Sequence, residues 1–84
     1  MTGKVKLYAI STCGWCKKAK NFLNENNIVF EFEDVDLLEG EEKERAREEV
    51  ARHNPRKSYP TIIIDGEVVI VGFDADKLKE ALGI

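Results

Sequence analysis

Between Ile10 and Trp15 the apolar period of the chain changes from that of a strand to that of a helix, and both cysteines fall on the change. Residues 4–10 alternate lysine with apolar side chains and then turn wholly apolar, as a strand entering a core does. Trp15, Ala19, Phe22 and Leu23 follow at i, i+4, i+7 and i+8, one face of a helix running to Asn26 or Asn27. A strand feeding directly into a helix, with Cys13 and Cys16 at the junction, commits the chain to a βα unit and its chemistry to that corner.

The remaining segments complete one layout. Residues 28–33 resume the strand period. Residues 39–53 read as a second, very polar helix with Ala46 and Val50 as its narrow inner stripe; acids lead and bases follow, which complements the helix dipole. Its pairs Glu41–Arg45 and Glu48–Arg52 have the favourable i, i+4 order. Asn54-Pro55 ends it, because a residue before proline avoids the α region. Residues 61–64 and 67–71 are β-branched runs around Asp65-Gly66, a hairpin signal. Asp74 can cap a last helix with Ala75, Leu78, Ala81 and Leu82 on its apolar side. Numbered along the chain, these seven segments give β1-α1-β2-α2-β3-β4-α3. A right-handed βαβ unit followed by a hairpin predicts an α/β fold, a mixed four-stranded sheet flanked by helices.

The 84 residues suffice for one modest core, so residues 1–84 are expected to form a single domain. A formal net charge of −3, with no basic stripe, argues against nucleic acid as a partner. No apolar run approaches the roughly 18 residues that span a bilayer, and the start Met1-Thr2-Gly3-Lys4 has no signal-peptide h-region. A cytoplasmic address is expected, with no membrane partner. There a structural disulfide would be unusual, and one across two intervening residues closes too short a loop to add much stability.

The cysteines therefore point to redox chemistry. Cys13 at the first turn of the helix meets unpaired amides and the positive end of the dipole, which favour a thiolate; Cys16, one turn inside, does not. Lys17 and Lys18 add positive potential. Since an ordinary thiol is ionised to only a few per cent at neutral pH, even a modest lowering decides which sulfur attacks. Cys13 is expected to be the nucleophile and Cys16 the resolving thiol. Two other readings stand beside this one. A lone Cys-x-x-Cys is half a zinc site, but the only histidine, His53, lies at the end of a distant helix, so no metal site is expected within one chain. A metal or iron–sulfur cluster shared between two copies is the alternative. His53 itself is expected at the surface.

Thr12-Cys13-Gly14-Trp15-Cys16-Lys17-Lys18-Ala19-Lys20, then Asp34-Val35-Asp36, Tyr59-Pro60-Thr61 and Gly72-Phe73-Asp74, resemble the glutaredoxin family of the thioredoxin fold, in order and over nearly the whole chain. The resemblance implies a monomeric dithiol oxidoreductase that reduces protein or glutathione mixed disulfides, with no bound cofactor and glutathione as cosubstrate. It also implies that Pro60 is a cis-proline facing the cysteines, with Tyr59 before it in place of the usual valine. There the main chain of Tyr59 can pair with a substrate backbone like an added strand. Thr12, Trp15, Lys17 and Phe73 would complete the substrate contacts.

Against that pattern, Ile10 stands three places before the first cysteine, where glutathione-binding members commonly carry a basic residue. Lys17, Arg56 and Lys57 are the nearby cations. The Gly-Gly pair of those members is here Val71-Gly72. Gly72 could let a ligand approach the backbone, and Asp74 with the free amides of α3 could receive the γ-glutamyl end; a plain turn and a plain helix cap are the competing readings. Helix α2 is expected to lie away from the cysteines, its charges a wet surface. Related redoxins take electrons from a thioredoxin-reductase-like flavoprotein and serve partners such as ribonucleotide reductase, so both kinds of donor remain open at this point.

Overall fold

The computed structural model describes residues 4–84. Their elements are β1 (Val5–Ala9), α1 (Gly14–Glu25), β2 (Glu31–Asp34), α2 (Gly40–His53), β3 (Thr61–Ile64), β4 (Val68–Val71) and α3 (Ala75–Leu82), with one turn of 3-10 helix, Val35–Leu37, between β2 and α2. The sheet runs β2-β1-β3-β4. β1 is parallel to β2 and antiparallel to β3, which is antiparallel to β4. This is the mixed four-stranded sheet of a thioredoxin-like fold.

The period of two sorts the core into two layers. Val5, Leu7 and Ala9 of β1, with Ile62 and Ile64 of β3 and Ile70 of β4, face α1 (Cys16, Ala19, Leu23) and α3 (Leu78, Leu82). On the other face Tyr8 and Ile63 meet Val35 and the Ala46–Val50 stripe of α2. β1 and β3 are the central strands and are covered on both faces, which is why their sequences turn continuously apolar. Cys16 thus belongs to the main core, packed with Ala19 and Leu23 on the same side of α1.

The boundaries move where local closure outcompetes the strand pattern. The second strand, expected over 28–33, pairs only from Glu31 to Asp34. Asn27 takes a left-handed φ of 57°, and the Ile28 amide reaches back 2.9 Å to the Leu23 carbonyl. Those residues close α1 instead of extending β2. β1 offers Lys6 as the partner of Glu31, and its ammonium lies 3.8 Å from Glu31 and 3.5 Å from Glu33. The 3-10 turn was not anticipated; it buries Val35 and turns the chain toward α2.

Helix α2 begins at Gly40 behind Glu39. Glu41 meets Arg45 as expected, whereas Arg52 reaches Glu49, three residues back, rather than Glu48. His53 is half-buried, not on the open surface, with Nε2 3.7 Å from Glu49. The hairpin forms as the Asp-Gly pair demands: Asp65 and Gly66 both take positive φ, 55° and 71°, and the Glu67 amide donates to the Ile64 carbonyl at 3.1 Å. Glu67 is spent on that turn, so β4 starts one residue later than expected.

Candidate active site

Cys13 is the residue just before α1, with φ −86° and ψ 120°, so its side chain stands at the helix mouth. Its amide donates to the Ile10 carbonyl at 3.0 Å, and its carbonyl accepts from the Lys17 amide at 3.2 Å. The first contact folds residues 10–13 into a tight turn, and the second begins the helix. Cys13 is partly exposed, Cys16 is buried, and both are free thiols. Cys16 shares the buried stripe of α1 with Ala19 and Leu23, whereas Cys13 stands at the open end of the helix.

The two thiols are electrostatically unlike. Burial is the largest single influence on Cys13 and opposes its ionisation. The Cys16 thiol and the backbone amides of Cys16 and Trp15 together outweigh it, holding Cys13 below the ordinary thiol value of 9.0. No full capping hydrogen bond from the sulfur closes the helix, yet the same amides lie close enough to favour the anion. The Cys16 thiol is the largest of the favourable influences, and the helix-mouth amides add to it. The Lys18 ammonium lies over the Trp15 ring, 4.5 Å from its centroid, and Lys17 is exposed. Cys16 is pushed up to about 11, chiefly by burial, which the Ile10 amide partly offsets, with the neighbouring Cys13 adding to the rise and the Lys20 charge opposing it. Lys20 is held by Asp34 at 3.0 Å.

The other sequence-derived positions surround these sulfurs. The Tyr59–Pro60 peptide is cis. Pro60 is buried, and its carbonyl accepts from the Gly72 amide at 2.8 Å, which draws the turn after β4 against the residue before β3. Gly72 has φ 78°, the left-handed region that favours glycine. Phe73 stacks with Trp15, centroids 6.5 Å apart, and meets Phe22 edge-on at 5.8 Å. Trp15 is nevertheless 58% exposed, so the aromatic group offers an open face beside Cys13. Asp74 caps α3, accepting from the Lys77 amide at 3.1 Å. Thr12 is exposed. Tyr59 is half-buried; burial raises its hydroxyl, which lies in the field of Arg47, Asp36 and Cys16.

One side of helix α2 faces the segments that flank the cysteine corner, in a pocket that neither cysteine lines. Ile10 and Tyr59 line an open pocket of about 270 Å³ together with Val35, Asp36, Lys57 and three residues of α2, Lys43, Arg47 and Val50. Lys43, Arg47 and Val50 stand at i, i+4 and i+7, so their spacing already placed two cations on the rim of the buried stripe. Arg56 does not line this pocket; Lys57 does. Three further residues, Ser11, Asp36 and Asn54, are assigned no part in the site from the sequence. Ser11 and Asp36 join the loop before Cys13 to the 3-10 turn. Asn54 is 1% exposed and ties together the loop that leads to Tyr59: its Nδ2 donates to Ser58 O, Ser58 Oγ and Thr61 Oγ1 at 3.1, 3.2 and 3.1 Å, and its Oδ1 accepts from the Arg56 amide at 3.1 Å. Among the described residues no three His, Cys, Asp or Glu side chains gather as a metal-binding group, and no helix is long and apolar enough to cross a membrane.

A half-exposed, acidified thiol at a helix mouth, a buried partner one turn behind it and a cis-proline loop define a thioredoxin-fold dithiol protein. Residues 5–69 match the family model for glutaredoxin, and the chain belongs to the glutaredoxin family. It is 42% identical over 79 residues to an uncharacterized glutaredoxin-like 8.6 kDa protein in the rubredoxin operon of Clostridium pasteurianum, covering 90% of this chain and 97% of that one. Among solved structures, methanoredoxin of Methanosarcina acetivorans superposes with a TM-score of 0.95 at 48% identity, over 99% of this chain and 87% of that one. The glutaredoxin of Methanosarcina mazei Go1 gives 0.93 at 50% identity, over 98% and 80% of the respective chains.

Proposed function

We propose that this protein is a dithiol thiol–disulfide oxidoreductase that reduces protein or glutathione mixed disulfides and draws its electrons from glutathione. The observation that carries the reading is the opposed tuning of the two thiols: Cys13 is lowered and reachable, Cys16 raised to about 11 and buried. The Cys13 thiolate attacks one sulfur of a target disulfide, forming a mixed disulfide and releasing the other half as a thiolate. Cys16 gives up its proton, attacks Cys13 Sγ and releases the reduced target, leaving Cys13–Cys16 as the internal disulfide. Two glutathione thiols then return it to the dithiol and leave as glutathione disulfide.

The site supports a place for each part of the ligand. The cations missing at Ile10 stand across the same pocket as Lys43, Arg47 and Lys57, where they can meet the glycyl carboxylate of glutathione. The Gly72-Phe73-Asp74 segment, held to Pro60 through the Gly72 amide, takes the γ-glutamyl end. The main chain of Tyr59 aligns the target strand, with Thr12 and Lys17 at the rim and Trp15 and Phe73 giving it an apolar floor. We assign the reaction to a monomer formed by one domain, without a resident cofactor, in the reducing environment of the cytoplasm.

Arg47→Ala combined with Lys57→Ala should raise the KM for glutathione about 10-fold while leaving kcat nearly unchanged, because carboxylate binding is lost equally before and during the reaction. The assay is glutathione-dependent reduction of a model disulfide, with mass spectrometry of the Cys13 adduct. Reduction of the Cys13–Cys16 disulfide by a thioredoxin reductase and NADPH, with no adduct and no turnover from glutathione, would transfer the donor role to a flavoprotein.

A further inference from the structure

We infer that Ser11 and Asp36 form a clasp that holds Cys13 in line with the first amides of α1, which makes both of them positioning residues of the redox site. The inference rests on Cys13 being the nucleophile. The Ser11 amide donates to Asp36 Oδ1 at 2.9 Å, and the Ser11 hydroxyl to Asp36 Oδ2 at 2.5 Å, so one carboxylate grips a single residue through both of its oxygens.

The register explains how the two residues meet. β1 and β2 are parallel, and Ala9 lies opposite Asp34. Ser11 and Asp36 each stand two residues further on, just past the end of the ladder. The clasp therefore extends the strand pair by one step, using side-chain oxygens where the strand hydrogen bonds have stopped. What it holds is the corner of the turn in which the Cys13 amide reaches the Ile10 carbonyl at 3.0 Å. Ser11 is only two peptide units from the sulfur-bearing residue, and Thr12 between them is exposed. Dipole and amide effects at a helix mouth fade within one turn, so a small shift of this corner changes how well the Trp15 and Cys16 amides meet the sulfur.

The direct effect of the Asp36 charge has the opposite sign. An anion near the site makes a neighbouring thiol harder to ionise. If charge alone mattered, neutralising Asp36 would make Cys13 more acidic; if the clasp matters, breaking it makes Cys13 less acidic. Asn at position 36 separates the two, because its amide oxygen can still accept from the Ser11 amide and its NH₂ can donate to the Ser11 hydroxyl.

The test is the pH profile of Cys13 alkylation by iodoacetamide, a small neutral probe indifferent to pocket charge, in the reduced full chain, with folding followed by circular dichroism. Ser11→Ala and Asp36→Ala should move the midpoint up by about one pH unit and cut the rate at pH 7 ~10-fold. Asp36→Asn should stay near the wild-type profile. Wild-type midpoints in both alanine variants, whatever their melting temperatures, would reduce the clasp to a structural brace, and an Asp36→Asn profile displaced as far as that of Asp36→Ala would also overturn the inference. The wild-type profile in the same series separates the two levels. An ordinary thiol there would remove the nucleophile reading itself, while an acidic wild-type thiol with unmoved alanine variants would remove the clasp alone.

Discussion

Cys16→Ser should halt the reaction at its midpoint. Cys13 would still attack, the mixed disulfide would accumulate to one equivalent, and dithiol-dependent reduction of a protein disulfide would fall on the order of 100-fold or more. The size follows from replacing an intramolecular thiol by one that must arrive from solution. Serine is the informative substitution because its hydroxyl can keep donating toward Cys13, as the Cys16 thiol does. Cys16→Ala also loses that donor, so it should trap the adduct more slowly and with a less acidic Cys13. The measurement is mass spectrometry of the quenched reaction beside a turnover assay. Unimpaired reduction of a protein disulfide by Cys16→Ser would exclude the two-cysteine route.

The second large effect lies outside the sulfur chemistry. Asn54→Ala is expected to cost roughly 2–3 kcal/mol, since it leaves the Arg56 amide without the Asn54 oxygen and takes the donor from the buried Thr61 hydroxyl. For a domain of this size that corresponds to a melting temperature about 10–20 °C lower. Asn54 also organises the loop into Tyr59–Pro60, so the loss should appear in activity at temperatures where the variant remains folded. Thermal denaturation followed by a disulfide-reduction assay tests both halves. A melting temperature within a few degrees of wild type would show that the network is dispensable.

Much of this architecture was legible because periodicity and burial agree. Leu7 and Ala9 on one face of β1 and Tyr8 on the other, the Asp65-Gly66 turn, and the Asp74 cap each follow from a local rule that the packed core does not contest. Legibility fails where one local preference overrides another. Ile28 has a strand-forming side chain, but its amide is used to close α1, and no rule of alternation registers that. Asn54 reads in sequence only as a stop before Pro55, because a buried polar network depends on what the fold folds over it. The charges of α2 looked solvated, and most of them are. Lys43 is partly buried and Arg47 is exposed, and both line the pocket shared with Ile10 and Tyr59. Ser11 and Asp36 are 25 residues apart, and their meeting depends on the register of a parallel strand pair.

Ionisation also couples the site to stability, with opposite signs for the two sulfurs. Cys13 has a lowered value in the folded protein, so it adds stability above the ordinary thiol value of 9.0 and loses it as pH falls through its own lower value. Cys16 has a raised value, so stability is intact below 9.0 and declines as pH rises toward about 11. The measurement that reaches the central claim most directly is a pH titration of thiolate absorbance in the reduced protein, repeated in Cys16→Ser to assign the steps. Two separated steps are predicted: one below 9.0 that survives in Cys16→Ser, and one near 11 that disappears. A surviving step at or above the value of a free thiol would contradict the account.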